Sequence, residues 1–254
     1  KIFNKPEHGS ASSAWYSDGN WMETDNECEW HGISCDGNGE IVGLHLVDNN
    51  LKGTIPADIG LLSSLSSLDL NGNSLSGPIP TELFKLTKLS TLNLAQNTIT
   101  GQIPASVSQV TDLSLLNLSD NNLSSMIPLE IGELSVLKII KLANNALIGS
   151  VPSQIGNLVL LKDLDFRNNS LTYELPTEIG SLSSLSRLYL QENKLLGPLP
   201  SEIGLLRSLQ AWNMSNNNVF DKIPKTLWQG GSLQNLESLD LSHNLLTGDE
   251  YDFE

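Results

Sequence analysis

One stretch of sequence returns at an almost constant interval along the chain. Residues 65–80 read LSSLDLNGNSLSGPIP, a pattern of the form L-x-x-L-x-L-x-x-N-x-L-x-G-x-I-P. Its copies begin at Ile41, Leu65, Leu89, Leu113, Leu137, Leu161, Leu185, Leu209 and Leu236, so seven steps are 24 residues and the last is 27. A period of this length, sustained over most of a chain, predicts a solenoid of leucine-rich units stacked on one another.

The spacing within each unit predicts a strand. Leu68 and Leu70 lie two residues apart, so both side chains point inward while Asp69 points outward. A single short strand cannot bury this apolar face by itself. Stacked about 4.8 Å from its neighbours, it contributes to a parallel sheet with a continuous core.

An asparagine ends every predicted strand without substitution. These residues are Asn49, Asn73, Asn97, Asn121, Asn145, Asn169, Asn193, Asn217 and Asn244. We predict a buried column of amides that bond the backbone groups left unpaired by the turn. Losing one amide should cost about 1–3 kcal/mol, because its partners would remain buried and unpaired.

The second half of the unit turns the chain back with Gly and Pro. Six copies carry Gly, while Ser125, Tyr173 and Asp221 replace it in the others. The string L-x-G-x-I-P-x-x-I-G-x-L at 51–62, with one Val at 147–158, resembles the plant-specific class of leucine-rich repeat proteins. That class includes receptor-kinase ectodomains and polygalacturonase-inhibiting proteins.

The resemblance implies an α/β solenoid, a right-handed superhelix of nine repeats with a parallel concave sheet. We expect an N-terminal cap at 1–40, the solenoid at 41–248 and a tail at 249–254. Trp15, Trp21 and the string CEWHGISC at 28–35 resemble the cap of the family. The family also closes with a C-terminal cap containing cysteines, which is missing here, so we expect the sequence to be cut from a longer protein.

Cys28 and Cys35 are the two cysteines of the chain. Their spacing lacks the second pair of a zinc site, which favours a disulfide worth about 2.5 kcal/mol and an oxidising compartment. The matching cysteines of the family are bonded, which implies the same pair here.

Glycosylation sequons at Asn117, Asn122, Asn168 and Asn213 agree with an extracellular or cell-surface location.

The charge of the chain excludes some partners. The formal charge of −15 disfavours nucleic acid and an anionic membrane surface. The four histidines are far apart in the solenoid, and no nucleophile, zincin or phosphate-loop motif is present. Asp163 and Asp165 share one face, but we expect Lys141 and Arg187 on neighbouring strands to keep both ionised. We therefore expect no enzyme activity, no metal site and no cofactor.

The outward positions of the predicted sheet are where binding residues are expected. From repeat four to seven they become distinctive: Leu115 and Ile139 are apolar, Tyr189 is aromatic, and Lys141, Asp163, Asp165, Arg167 and Arg187 are charged. We predict that these eight residues form a ligand-binding face with Tyr189 and the arginines as anchors. Alternatively, Lys141 pairs with Asp165 and Asp163 with Arg187, and the charges only solubilise the sheet. A glycan on Asn117 would stand on the same face.

The resemblance implies a recognition module that binds a protein, peptide or glycan through its concave or lateral face, as a monomer or with ligand-induced association. Two other functions stay open: an inhibitor of a cell-wall-degrading enzyme, and a structural or adhesive secreted protein. An ice-binding protein would need a regular array of one residue type, whereas the outward columns are mixed. The scaffold alone does not choose among these functions.

Overall fold

The computed structural model describes residues 25–230 and 232–248, and in them the predicted units stack side by side. The main sheet has ten strands; the first is antiparallel to the second, and the others are parallel. The strands are β1 (Ile33–Cys35), β2 (Ile41–His45), β4 (Ser67–Asp69), β6 (Thr91–Asn93), β8 (Leu115–Asn117), β10 (Ile139–Lys141), β12 (Asp163–Asp165), β14 (Arg187–Tyr189), β16 (Ala211–Asn213) and β18 (Ser238–Asp240).

Two smaller parallel sheets, which the sequence did not predict, run beside the main sheet, and we call them the lateral sheets. The first contains six strands and the second contains three. The strands are β3 (Lys52–Thr54), β5 (Ser74–Gly77), β7 (Thr98–Gly101), β9 (Asn122–Met126), β11 (Ala146–Gly149) and β13 (Ser170–Leu171), then β15 (Leu196–Gly197), β17 (Asn218–Lys222) and β19 (Leu245–Thr247).

The helical part of each coil is a 3-10 helix, and no α-helix occurs in the described ranges. The helices are η1 (Glu27–Glu29), η2 (Ala57–Leu61), η3 (Thr81–Lys85), η4 (Ala105–Gln109), η5 (Leu129–Glu133), η6 (Ser153–Asn157), η7 (Thr177–Ser181), η8 (Ser201–Leu205) and η9 (Lys225–Trp228). A proline precedes each helix from η2 onward, and its carbonyl accepts an N–H three residues later, as in the 3.1 Å bond from Ile59 to Pro56. One tight turn is all that this short segment accommodates. None of these helices is long and apolar enough to cross a membrane.

Glycine in these helices allows neighbouring coils to approach closely. A Cβ on Gly156 would lie 2.5 Å from the carbonyl oxygen of Glu178 in the next coil. The I-G-x-L string thus reflects close packing of one coil on the next. The core lies between the helices and the sheets and is filled by buried leucines, with Phe84, Phe166 and Trp212 as its largest side chains.

The predicted column of asparagine amides is confirmed. Asn97 Oδ1 accepts the Leu75 N–H at 2.8 Å, and Asn97 Nδ2 donates to the carbonyls of Leu70, Leu94 and Ala95 at 3.0–3.1 Å. Each amide therefore bonds its own coil and the preceding one, and the pattern repeats to Asn244. Most of these residues are buried, while Asn73, Asn145 and Asn244 are partly buried.

The cysteines pair as expected. Cys28, in η1, and Cys35, at the end of β1, form a disulfide. Because β1 pairs with β2, this loop is attached to the first strand of the stack. Trp30 packs against the core from the same loop. Trp15 and Trp21, together with the tail at 249–254, lie outside the described residues.

Two turns in each coil use the left-handed backbone region. The first precedes the buried asparagine; Gly72 occupies it in the second coil and polar residues in the others, among them Asp120 and Asn144 at φ of 56° and 54°. The second is the glycine position of the repeat, where Ser125, Tyr173 and Asp221 keep φ of 74°, 64° and 73°. The fold therefore imposes the conformation of glycine on these three residues, at some cost in strain.

We expect Asn217→Ala to lower the free energy of unfolding by about 1–3 kcal/mol, because the Leu195 N–H would stay buried and unpaired. The neighbouring Asn218 is exposed, so Asn218→Ala is a matched control that should change stability by less than about 0.5 kcal/mol. Chemical denaturation measures both. Equal stability of the two variants would contradict the role assigned to the amide column.

Candidate functional site

The eight predicted binding residues come from four adjacent strands, β8 to β14, in register. Leu115, Ile139, Asp163 and Arg187 form one column across the sheet. Lys141, Asp165 and Tyr189 align in the next, and Arg167 follows Asp165 by two residues. The structure thus brings all eight residues to one surface, which we call the outer face of the main sheet. Whether they bind a ligand stays a prediction.

The two carboxylates on this face are buried, although the sequence predicted that they project into solvent. Asp163 is 3% exposed and Asp165 is 5% exposed. The side chains of Lys141, Arg167 and Arg187 lie beside them and remain 41–48% exposed. Alternation along a strand shows on which face of the sheet a residue lies. It does not show whether long side chains of neighbouring residues cover that residue.

Ion pairs join the acids to these cations. The predicted pair of Asp163 and Arg187 is confirmed, with Arg187 Nη2 donating to Asp163 Oδ2 at 3.0 Å. The predicted pair of Lys141 and Asp165 is wrong. Lys141 Nζ lies 4.0 Å from Asp163 Oδ2, on the diagonal, whereas Asp165 Oδ2 lies 3.4 Å from Arg167 Nη2. Asp165 is thus paired by a cation on its own chain segment.

Two apolar residues of the site are less exposed than predicted. Leu115 and Ile139 are half-buried and lie opposite each other in the strand register. The Tyr189 ring is also half-buried, with the Arg167 guanidinium carbon 6.0 Å from its centroid. This distance is at the limit of a cation–π contact. These three residues therefore offer only partly exposed apolar surface.

Burial raises the pKa of Asp165 above its ordinary value, and Arg167 only partly offsets this effect. The expectation that nearby cations prevent any such rise is therefore wrong for this residue. The Asp165 Oδ1 atom accepts the backbone N–H of Arg167 at 3.3 Å. In contrast, Asp163 Oδ1 is buried without a hydrogen-bond partner. Both acids are held under the cations at a cost in desolvation.

A shallow pocket extends the site beyond the predicted residues. Its volume is about 190 Å³, and Lys141, Asp165 and Arg167 form one side. The rest of the lining comes from coils two to five and contains Asn71, Ala95, Gln96, Asn117, Ser119, Asp120 and Ala143. Ala95, Ser119 and Ala143, in the third outward column, are small and leave this space, and their small size is the sequence signal that indicates the pocket.

The four sequons occupy different surroundings. Asn117 and Asn213 are half-buried on the main sheet, and each accepts a backbone N–H from two residues later. Asn168 is exposed and donates to Asn144 Oδ1 at 2.9 Å. Asn122 is exposed on a lateral sheet. A glycan on Asn117 would stand beside the pocket, whereas one on Asn122 would not.

Within the described ranges, no three His, Cys, Asp or Glu side chains are placed to hold a metal ion.

Comparison with known proteins identifies the family. A model described as leucine-rich repeat region matches residues 113–251, and a model described as leucine rich repeat matches residues 63–123. The chain belongs to the leucine-rich repeat proteins, and its resemblance to the plant extracellular class is confirmed by the solved structures that it matches.

Three solved structures are informative. The ectodomain of the plant membrane receptor kinase GASSHO1/SCHENGEN3 from Arabidopsis thaliana, in complex with CASPARIAN STRIP INTEGRITY FACTOR 2, is 36% identical with a TM-score of 0.85 over 89% of this chain and 27% of that one. The plant peptide hormone receptor RGFR1, in complex with RGF2, is 38% identical with a TM-score of 0.78 over 80% of this chain and 32% of that one. A plant ice-binding protein is 26% identical with a TM-score of 0.71 over 91% of this chain and 82% of that one. This chain thus spans about a third or less of the two receptor chains.

We expect Asp165→Asn to raise the free energy of unfolding at neutral pH. The folded carboxyl keeps its proton to a higher pH than the unfolded one, so wild-type stability falls as pH rises from 3.8 through the raised pKa. An amide avoids this penalty and accepts the same N–H, as Asn93 and Asn213 do at equivalent positions. Denaturation curves from acidic to neutral pH should show the gain shrinking as pH falls through this window.

Asp240→Asn is the matched control, because Asp240 aligns with Asn213 in the same column. Hydrogen bonds from the Ser242 hydroxyl and N–H lower the pKa of Asp240. Its contribution to stability is therefore present at neutral pH and lost as pH falls through the folded pKa. This variant should be less stable than wild type at neutral pH. An Asp165→Asn variant that is also destabilised would show that burial is not the dominant effect.

Proposed function

We propose that the chain is the ligand-recognition part of an extracellular or cell-surface protein, and that the outer face of β8 to β14 binds a peptide or protein segment with acidic groups. The likeness to receptor ectodomains in complex with their ligands supports the general class. The chemistry of the ligand is inferred from this chain itself. The likeness to an ice-binding protein supports no second function, because the aligned outward columns mix charged, polar and apolar residues.

The observation that carries the proposal is that exposed cations lie over buried carboxylates on this face. Five of the fourteen basic residues of the chain lie on or beside β10, β12 and β14, in a protein with a formal charge of −15. They are Lys138, Lys141, Lys162, Arg167 and Arg187. Because the two acids beneath them are buried, an approaching ligand meets cations first. The local surface therefore favours a negative group although the whole molecule is acidic.

The geometry also suggests how such a ligand would be held. An acidic side chain entering the pocket of about 190 Å³ would lie between the exposed ends of Lys141 and Arg167. Arginine can bind a carboxylate with two parallel hydrogen bonds. Beside this point, Leu115, Ile139 and the Tyr189 ring offer partly exposed apolar surface for a neighbouring side chain. The amides of Asn71, Gln96 and Asn117 and the Ser119 hydroxyl provide further donors and acceptors, whereas the exposed Asp120 carboxylate would repel an acidic group from its part of the pocket.

We expect selection from a display library of random peptides to enrich sequences containing Asp or Glu. Their affinity, measured by fluorescence polarisation, should fall with added salt, since the contact is between partly exposed charges. Arg187→Ala and Tyr189→Ala should each weaken binding by about 2 kcal/mol, or about 30-fold, without unfolding the protein.

Lys85→Ala is the matched control, because Lys85 is an exposed base on η3, on the opposite side of the coil. Its affinity for the selected peptides should equal that of wild type. Enrichment of basic peptides, or unchanged affinity in both Arg187→Ala and Tyr189→Ala, would reject this ligand class and this site. An inhibitor of a wall-degrading enzyme would instead retain that enzyme in a pull-down and select no peptide.

A further inference from the structure

A second surface, on the lateral sheets, contains none of the residues discussed above as binding residues. Six large apolar side chains there are 40–65% exposed, and we call them the lateral strip: Met126, Ile148, Tyr173, Leu196, Phe220 and Leu245. Single apolar residues are normal on a protein surface, but six large ones along consecutive coils make a candidate interaction site.

The members of the strip lie on six consecutive coils of the stack. Met126 lies opposite Ile148, and Phe220 lies opposite Leu245. Between these pairs, the Leu196 N–H donates to the Tyr173 carbonyl at 3.0 Å. Ser170 faces Ile148 and Asn218 faces Leu196, so the strip is a row of apolar groups with polar residues between them, and it extends along six coils.

Tyr173 gives the strongest sign that the strip has a function. Its φ of 64° is the left-handed conformation that glycine adopts at this position in neighbouring coils, such as Gly149 and Gly197. A bulky side chain is strained there, and Tyr173 is 63% exposed, so burial within the chain compensates little. Strain of this kind is found at functional sites. The fold alone would favour glycine.

The charge around the strip indicates what covers it. The segments 122–126, 146–150, 170–174, 194–198, 218–222 and 245–247 contain two acids, Glu174 and Asp221, and two bases, Lys194 and Lys222. Their net charge is zero in a protein with a formal charge of −15. Two copies of the chain would repel each other over most of their surfaces, but not here. A face with interspersed acids and bases can also complement itself across a two-fold axis.

We propose that two copies of this chain associate through the lateral strip. The contact would be isologous, with the Tyr173 rings and the apolar pairs of one copy packed against those of the other. This inference goes beyond the proposed function and does not rest on it, because the outer face of the main sheet belongs to a different sheet. Failure of one would leave the other standing.

Sedimentation equilibrium of the whole chain tests the proposal. We expect a reversible dimer within concentrations up to about 100 μM, set by mass action. The double variant Ile148→Ser/Phe220→Ser should raise the dissociation constant at least about tenfold. The control variants Leu61→Ser and Leu205→Ser remove exposed apolar side chains from η2 and η8, outside the strip, and should leave it unchanged.

The variant Tyr173→Gly distinguishes an effect on association from an effect on folding stability. This variant should also raise the dissociation constant at least about tenfold, while the monomer melts at a higher temperature because the strain is relieved. Ser125→Gly relieves the same backbone conformation without removing an aromatic ring, so it should leave association unchanged. A wild-type chain that stays monomeric throughout, or variants of the strip that associate as wild type does, would overturn the proposal.

Discussion

The structure depends on a buried amide that completes the hydrogen bonding of the coil before it. Leu75 N–H and Leu70 C=O belong to one coil, yet both are bonded by Asn97 of the next coil. Without Asn97 these groups would be buried in the stack with no hydrogen-bond partner, which is costly. Folding one unit is therefore favourable only against a folded neighbour, and the length of the stack is part of its stability.

Much of this architecture is readable from the lettering of the repeat. The spacing of Leu68 and Leu70, the constant Asn and the 24-residue interval specify inward side chains, the amide column and the register of the main sheet. The lateral sheets and the 3-10 helices were not predictable in the same way. Their segments are only two to five residues long, and each lateral strand pairs with a segment about 22–25 residues away in sequence. Such short segments leave no local periodic pattern from which they could be predicted.

The sequence predicted which residues form the candidate site, but not how deeply they are buried. Strand alternation put Asp163 and Asp165 on the outer face, where the structure has them. Their burial depends on where the side chains of Lys141, Arg167 and Arg187 lie. Long charged side chains can form several alternative ion pairs of similar energy. Lys141 lies beside Asp163, whereas Arg167 pairs with Asp165. Such choices follow from packing in three dimensions, which a sequence pattern does not encode.

The longer eighth coil shows how the scaffold tolerates change. Its three additional residues separate β16 from β18, yet Ala211 still faces Ser238, and Asn244 still bonds the Met214 carbonyl. The additional length is absorbed between η9 and β18, away from the ordered columns. Insertions and deletions can thus accumulate along the back of the molecule during evolution while the sequence of side chains presented to a partner is inherited intact.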